Sequence, residues 1–132
     1  MDVSVHHEGG DRYRVEIGWH ALTVDQPDTG DTGPTPTELF VASLASCVAH
    51  YAGRFFARHG IDPDGFEVDA SYATADRPAR VSAIDLSLRL PRGFPDELRE
   101  RLAAVVDHCT VHNSITTPPD VRVKLSPAAA AA

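Results

Sequence analysis

Cys47 and Cys109 are the only two cysteines in the chain, and they are the residues best equipped for chemistry. A thiolate is a nucleophile and a metal ligand, whereas a neutral thiol in apolar surroundings is a small hydrophobe. If Cys47 lies on a helix, about 100° of turn per residue puts Phe40, Ser43, His50, Tyr51 and Arg54 within about 60° of its direction. His50 then stands one turn away and Arg54 two, and a cation beside a thiol favours the thiolate. Cys109 sits in His108-Cys109-Thr110-Val111-His112, flanked by imidazoles. Three readings are open. Either cysteine can be core packing. The matched spacings Cys47-x-x-His50 and Cys109-x-x-His112 would supply a Cys₂His₂ zinc site if the two pairs met across 61 intervening residues. A redox pair instead needs the two Cα atoms within about 7 Å. A thiolate would then attack a peroxide oxygen and become a sulfenic acid. The second thiol would condense with it to a disulfide, which an external dithiol must reduce.

The elements that must position these residues follow from periodicity. Tyr13, Val15 and Ile17 alternate with charged residues, Gly18 breaks the run, and Leu22 and Val24 alternate again, which predicts a hairpin. Val3 and Val5 suit a further short strand, and residues 26–34, rich in Pro, Gly, Asp and Thr, read as loop. Thr35, Pro36 and Glu38 form a capping box with proline at the first helical position, and His59-Gly60 is a stop. The helix between them carries Cys47 and is apolar over more than one narrow stripe, so it wants burial on several sides. Phe66 to Tyr72 and Ile84 to Leu90 alternate as strands around an Asp76-Arg77-Pro78 turn. A second helix is predicted from Pro95 to Cys109, with Cys109 on its apolar face, then a short helical turn over Thr110–Thr117. Val121, Val123 and Leu125 predict a last strand. The order βββ-α-ββ-α-β is an α+β fold with antiparallel hairpins, one domain over residues 1–125 and a frayed tail over 126–132.

Composition narrows the partners. The 132 residues carry a formal net charge of −7, which argues against nucleic acid or an anionic membrane surface. No apolar run approaches the ~20 residues of a membrane span. The first ten residues lack the pattern of a secretory signal, so a cytoplasmic location is expected, and two cysteines there do not make a disulfide scaffold. Leu, Ile, Val and Phe total 31 residues, a modest core that association with a second chain would help to complete.

Gly33-Pro34-Thr35-Pro36-Thr37-Glu38-Leu39-Phe40, followed by Ala42-Ser43-Leu44-Ala45-Ser46-Cys47, resembles the signature of the OsmC/Ohr family of osmotically inducible and organic hydroperoxide resistance proteins. Cys109-Thr110-Val111-His112-Asn113-Ser114 resembles the family's second cysteine motif, usually of Cys-Pro-Val-His type. The resemblance covers nearly the whole chain, up to Leu125. It implies an intertwined homodimer of α+β protomers in which antiparallel sheets surround two central helices. It implies a thiol-dependent peroxidase for organic hydroperoxides, with Cys47 attacking, Cys109 resolving, an external dithiol as reductant, and no metal or organic cofactor. Phe40 and Tyr51 would line an apolar pocket. The family's peroxidase branches carry a Glu ten residues before the cysteine; here Thr37 holds that position and Glu38 falls to the helix cap, so the resemblance is to the broad OsmC-like branch. Those branches also hold the thiolate with an Arg from the N-terminal strands, for which Arg12 and Arg14 are candidates by region; His50 or Arg54 could serve instead. The alternative is a non-enzymatic relative that binds a small apolar ligand at the dimer interface.

Overall fold

The computed structural model describes residues 2–129. The N-terminal alternations form β1 (Val3–Gly9), β2 (Arg12–Ile17) and β3 (His20–Val24), an antiparallel sheet in that order. The register opposes Val3 to Ile17, Val5 to Val15 and Val15 to Leu22. Opposed residues share a face, so these side chains, with Tyr13 and Val24, make one apolar surface. Val24 is buried at its end, but Val3 and Val5 are 60 % and 58 % exposed, and Trp19 in the β2–β3 turn is fully exposed.

The loop after β3 is organised by a carboxylate. Asp25 is buried and accepts three hydrogen bonds: from the Gln26 amide at 2.8 Å, the Thr32 amide at 3.0 Å and the Thr32 hydroxyl at 2.6 Å. The Thr32 hydroxyl and then the two amides pull its pKa below the usual aspartate range, against the opposing effect of burial. The loop closes where the Asp25 amide donates to the Pro34 carbonyl at 3.1 Å. Gly33 lies so close to the Thr23 carbonyl that a Cβ would collide with it.

This knot delivers the chain to α1 (Pro36–Arg58). The predicted capping box is formed: Thr35 Oγ1 accepts from the Glu38 amide at 3.1 Å, and Glu38 Oε1 accepts from the Thr35 amide at 2.9 Å. Glu38 is thereby committed to the helix end. At the other end Gly60 adopts φ 64°, its amide donates to Ala57 and the Ile61 amide to Phe56, a Schellman stop. By length and composition α1 is apolar enough to cross a membrane, contrary to the expectation that no apolar run approaches a span, because its few charged residues lie toward its ends. Here Val41, Leu44, Val48, Ala52, Phe55 and Phe56 are buried in the protein's own core.

β4 (Glu67–Ala75) and β5 (Arg80–Arg89) form a second antiparallel sheet that packs on α1. Its register slips once: Ala73 opposes Ala83 but Thr74 opposes Val81, which leaves Ser82 as a bulge. A 3-10 turn (Asp96–Leu98), α2 (Arg99–Val106) and α3 (Thr110–Thr116) follow. Phe55, Phe56, Ala52 and Leu102 centre one half of the core, beneath Phe66, Phe94 and Leu98; Leu44, Val48 and Cys109 centre the other.

Two expectations are corrected. The helix predicted over Pro95–Cys109 is shorter, and Cys109 lies beyond it in extended conformation (φ −68°, ψ 155°) as the N-cap of α3. Asp107 and His108 turn the chain between the helices, which frees the thiol from α2. The strand predicted at Val121, Val123 and Leu125 does not form. After α3 the chain to residue 129 has no regular structure and these three side chains are exposed. A strand needs an edge to pair with, and neither sheet of the chain takes this segment as a neighbour. Of the tail expected to fray, residues 126–129 are exposed and irregular, while 130–132 lie outside the described residues.

Candidate active site

Cys47 projects from the middle of α1 and Cys109 stands at the start of α3, and the fold brings them side by side. Both are free thiols, Cys109 fully buried and Cys47 half-buried. They share one apolar cluster with Leu44, Val48, Tyr51, Val106 and Val111 and with Ile84, Leu86 and Leu88 of β5. Burial pushes the Cys109 thiol above its usual range; the His112 amide lowers it, and the neighbouring Cys47 raises it again. The sulfur of Cys109 accepts a hydrogen bond from the His112 amide at 3.4 Å, as an N-cap side chain does. Tyr51 ties α1 to α3, its hydroxyl 2.8 Å from the Thr110 hydroxyl next to Cys109.

A cleft of about 210 Å³ shares Leu44 and Ile84 with the thiol cluster, although neither cysteine lines it; its wall is Phe40 and Leu44 of α1, residues 81–84 of β5 around the Ser82 bulge, and His112 and Ile115 of α3. Phe40 and Leu44 lie two turns and one turn before Cys47 on α1. Ser82 and His112 are the polar residues of the cleft lining, and His112 Nδ1 is 3.8 Å from Asp107 Oδ1.

The other candidate residues are placed as follows. Phe40 lines the cleft, whereas Tyr51 packs against the thiols and is not part of its wall. His50 is exposed, its ring edge-on to Tyr51 at 6.0 Å. Arg54 is exposed and makes no ion pair or side-chain hydrogen bond among the described residues. Arg12 donates to the Glu8 carbonyl at 3.3 Å and Arg14 pairs with Glu16 at 3.1 Å, both within the N-terminal sheet. The two Cys-x-x-His pairs bring their thiols together, but no group of three or more His, Cys, Asp or Glu side chains able to hold a metal forms among the described residues. Sequence reasoning missed Asp25 and the cleft wall at residues 81–84. The first had a signal in Asp25 followed by Thr32 across a loop of turn-forming residues; the second depends on a bulge that leaves no mark in composition.

Two thiols that meet near an apolar cleft, a long capped helix and two small antiparallel sheets make an α+β protein of the OsmC-like fold. The OsmC-like protein family matches residues 28–124, and the chain belongs to it. No curated protein matches the sequence. Among solved structures, the chain is similar to a Psychrobacter arcticus 273-4 protein assigned as an osmotic stress induced and detoxification response protein, at 23 % identity and TM-score 0.78 over 85 % of each chain. An OsmC-like protein from Mycoplasma pneumoniae superposes at TM-score 0.76, with 16 % identity over 89 % of this chain and 87 % of that one. The organic hydroperoxide resistance protein OhrB of Bacillus subtilis covers 96 % of this chain and 98 % of its own, at 19 % identity and TM-score 0.62. At these identities the likeness establishes the fold.

Proposed function

We propose that the protein is a thiol-dependent peroxidase that reduces small organic hydroperoxides and works as a cytoplasmic homodimer. The observation that carries the reading is the contact between the two free thiols beside the apolar cleft. The Cys47 thiolate attacks the terminal oxygen of a hydroperoxide held in the cleft; the O–O bond breaks, the alcohol leaves, and Cys47 becomes a sulfenic acid. The Cys109 thiol then condenses with it, releasing water and forming a disulfide. An external dithiol reduces the disulfide and restores both thiols. The half-buried Cys47 suits attack, and the fully buried, neutral Cys109 suits resolution. A cleft of about 210 Å³ is smaller than sites for drug-sized ligands, which favours short-chain hydroperoxides. The Bacillus subtilis relative, named for organic hydroperoxide resistance, supports the same reading.

The dimer is supported by what one chain leaves uncovered: the apolar face of the β1–β3 sheet, Trp19, and the unpaired Val121, Val123 and Leu125. Large apolar side chains left exposed in number are what a partner surface would cover.

The test is turnover. With tert-butyl hydroperoxide and excess dithiothreitol, the protein should form tert-butanol catalytically, and Cys47→Ser should abolish it. A wild-type protein that leaves the hydroperoxide untouched while binding tert-butanol in the cleft would be a ligand-binding member of the family instead.

A further inference from the structure

The thiol pair leaves the ionisable residue of the cleft wall without a task. His112 touches the site twice: its backbone amide donates to the Cys109 sulfur at 3.4 Å, and the residue forms part of the cleft wall with Phe40, Leu44 and Ile84. It is the only ionisable residue lining that cleft among the described residues. Asp107 Oδ1 stands 3.8 Å from Nδ1 of the ring. With Nδ1 turned to the carboxylate, Nε2 has no hydrogen-bond partner among the described residues. The His112 side chain is 35 % exposed, so solvent can return a proton to it after each cycle.

The peroxidase reading creates a need for such a group. When the thiolate attacks RO–OH, the S–O bond forms as the O–O bond breaks, and the departing oxygen carries the electron pair away as an alkoxide. An alkoxide is strongly basic and apolar walls do nothing to stabilise it. We propose that His112, oriented by Asp107, is the acid that protonates this alkoxide in the transition state. The imidazolium gives its proton to RO⁻, the products are Cys47–SOH and ROH, and the neutral ring recovers a proton from water. This assignment rests on the peroxidase reading and adds a catalytic residue to it.

General acid catalysis matters where the leaving group is a strong base, and it is worth about 10²–10⁴-fold there. The experiment therefore compares two oxidants that differ in leaving group: tert-butyl hydroperoxide, which expels an alkoxide, and peracetic acid, which expels a carboxylate that needs no proton. The rate of Cys47 oxidation is measured for wild type, His112→Gln and Asp107→Asn. His112→Gln keeps the backbone amide on Cys109. It should lose at least about tenfold on tert-butyl hydroperoxide while staying within about threefold on peracetic acid. Asp107→Asn, which retains the ring, should show the same selectivity to a smaller degree. A merely structural role for His112 slows both oxidants together. Absence of selectivity in both variants overturns the assignment. Failure of wild-type Cys47 to react with either oxidant instead overturns the peroxidase reading on which it rests.

Discussion

Cys109 shows how the same residue can be core and chemistry at once. Its burial fills the space between α1, β5 and α3, and the same burial keeps the thiol neutral. A folded pKa raised above the unfolded value, about 8.5, contributes stability that is fully present below that pH and is lost as pH rises through the folded value. The stability advantage of wild type over Cys109→Ala should therefore shrink as pH is raised above about 8.5, read from urea midpoints. Asp25 has the opposite sign. Its carboxylate is held below the usual range by the Thr32 hydroxyl and two amides, so its contribution is present above about pH 3.9 and is lost as pH falls through the lowered folded value. Asp25→Asn should be less stable than wild type at neutral pH, and the difference should fade in acid.

At the scale of elements, α1 is the part written most plainly in local sequence. Thr35, Pro36, Glu38 and Gly60 state both ends, because capping boxes and Schellman stops use residues a few positions apart. Thr35→Ala should cost about 1 kcal/mol of unfolding free energy, read by urea denaturation. What was not legible depends on distant partners. Cys109 looked like a member of the second helix because its spacing fits Leu98, Leu102 and Val105, and only the turn at Asp107–His108 moves it to the next helix. The meeting of Cys47 with Cys109 spans 61 residues and cannot be read from either motif's chemistry alone. Val121, Val123 and Leu125 have strand periodicity without a strand, since periodicity predicts a face to bury and not the edge that will pair with it. Gly33 is small because the Thr23 carbonyl passes against it, a contact set by how the loop folds back. Gly33→Ala should loosen the loop and lower the unfolding midpoint.

For the whole molecule, the described chain has a well-filled half around α1 and an apolar sheet face with little to cover it. Sedimentation equilibrium should give twice the chain mass, and Val3→Asp with Val5→Asp, which puts charge on the exposed face, should shift the protein toward monomer. A wild-type protein that sediments as a monomer would remove the dimer from the account. The thiol chemistry has a more direct test. Protein treated with one equivalent of tert-butyl hydroperoxide, alkylated and digested, is analysed by mass spectrometry. The account predicts a loss of two hydrogens and a peptide pair joined through Cys47 and Cys109, with Cys109→Ser giving a trappable sulfenic acid at Cys47. Recovery of both cysteines as alkylated thiols would contradict it.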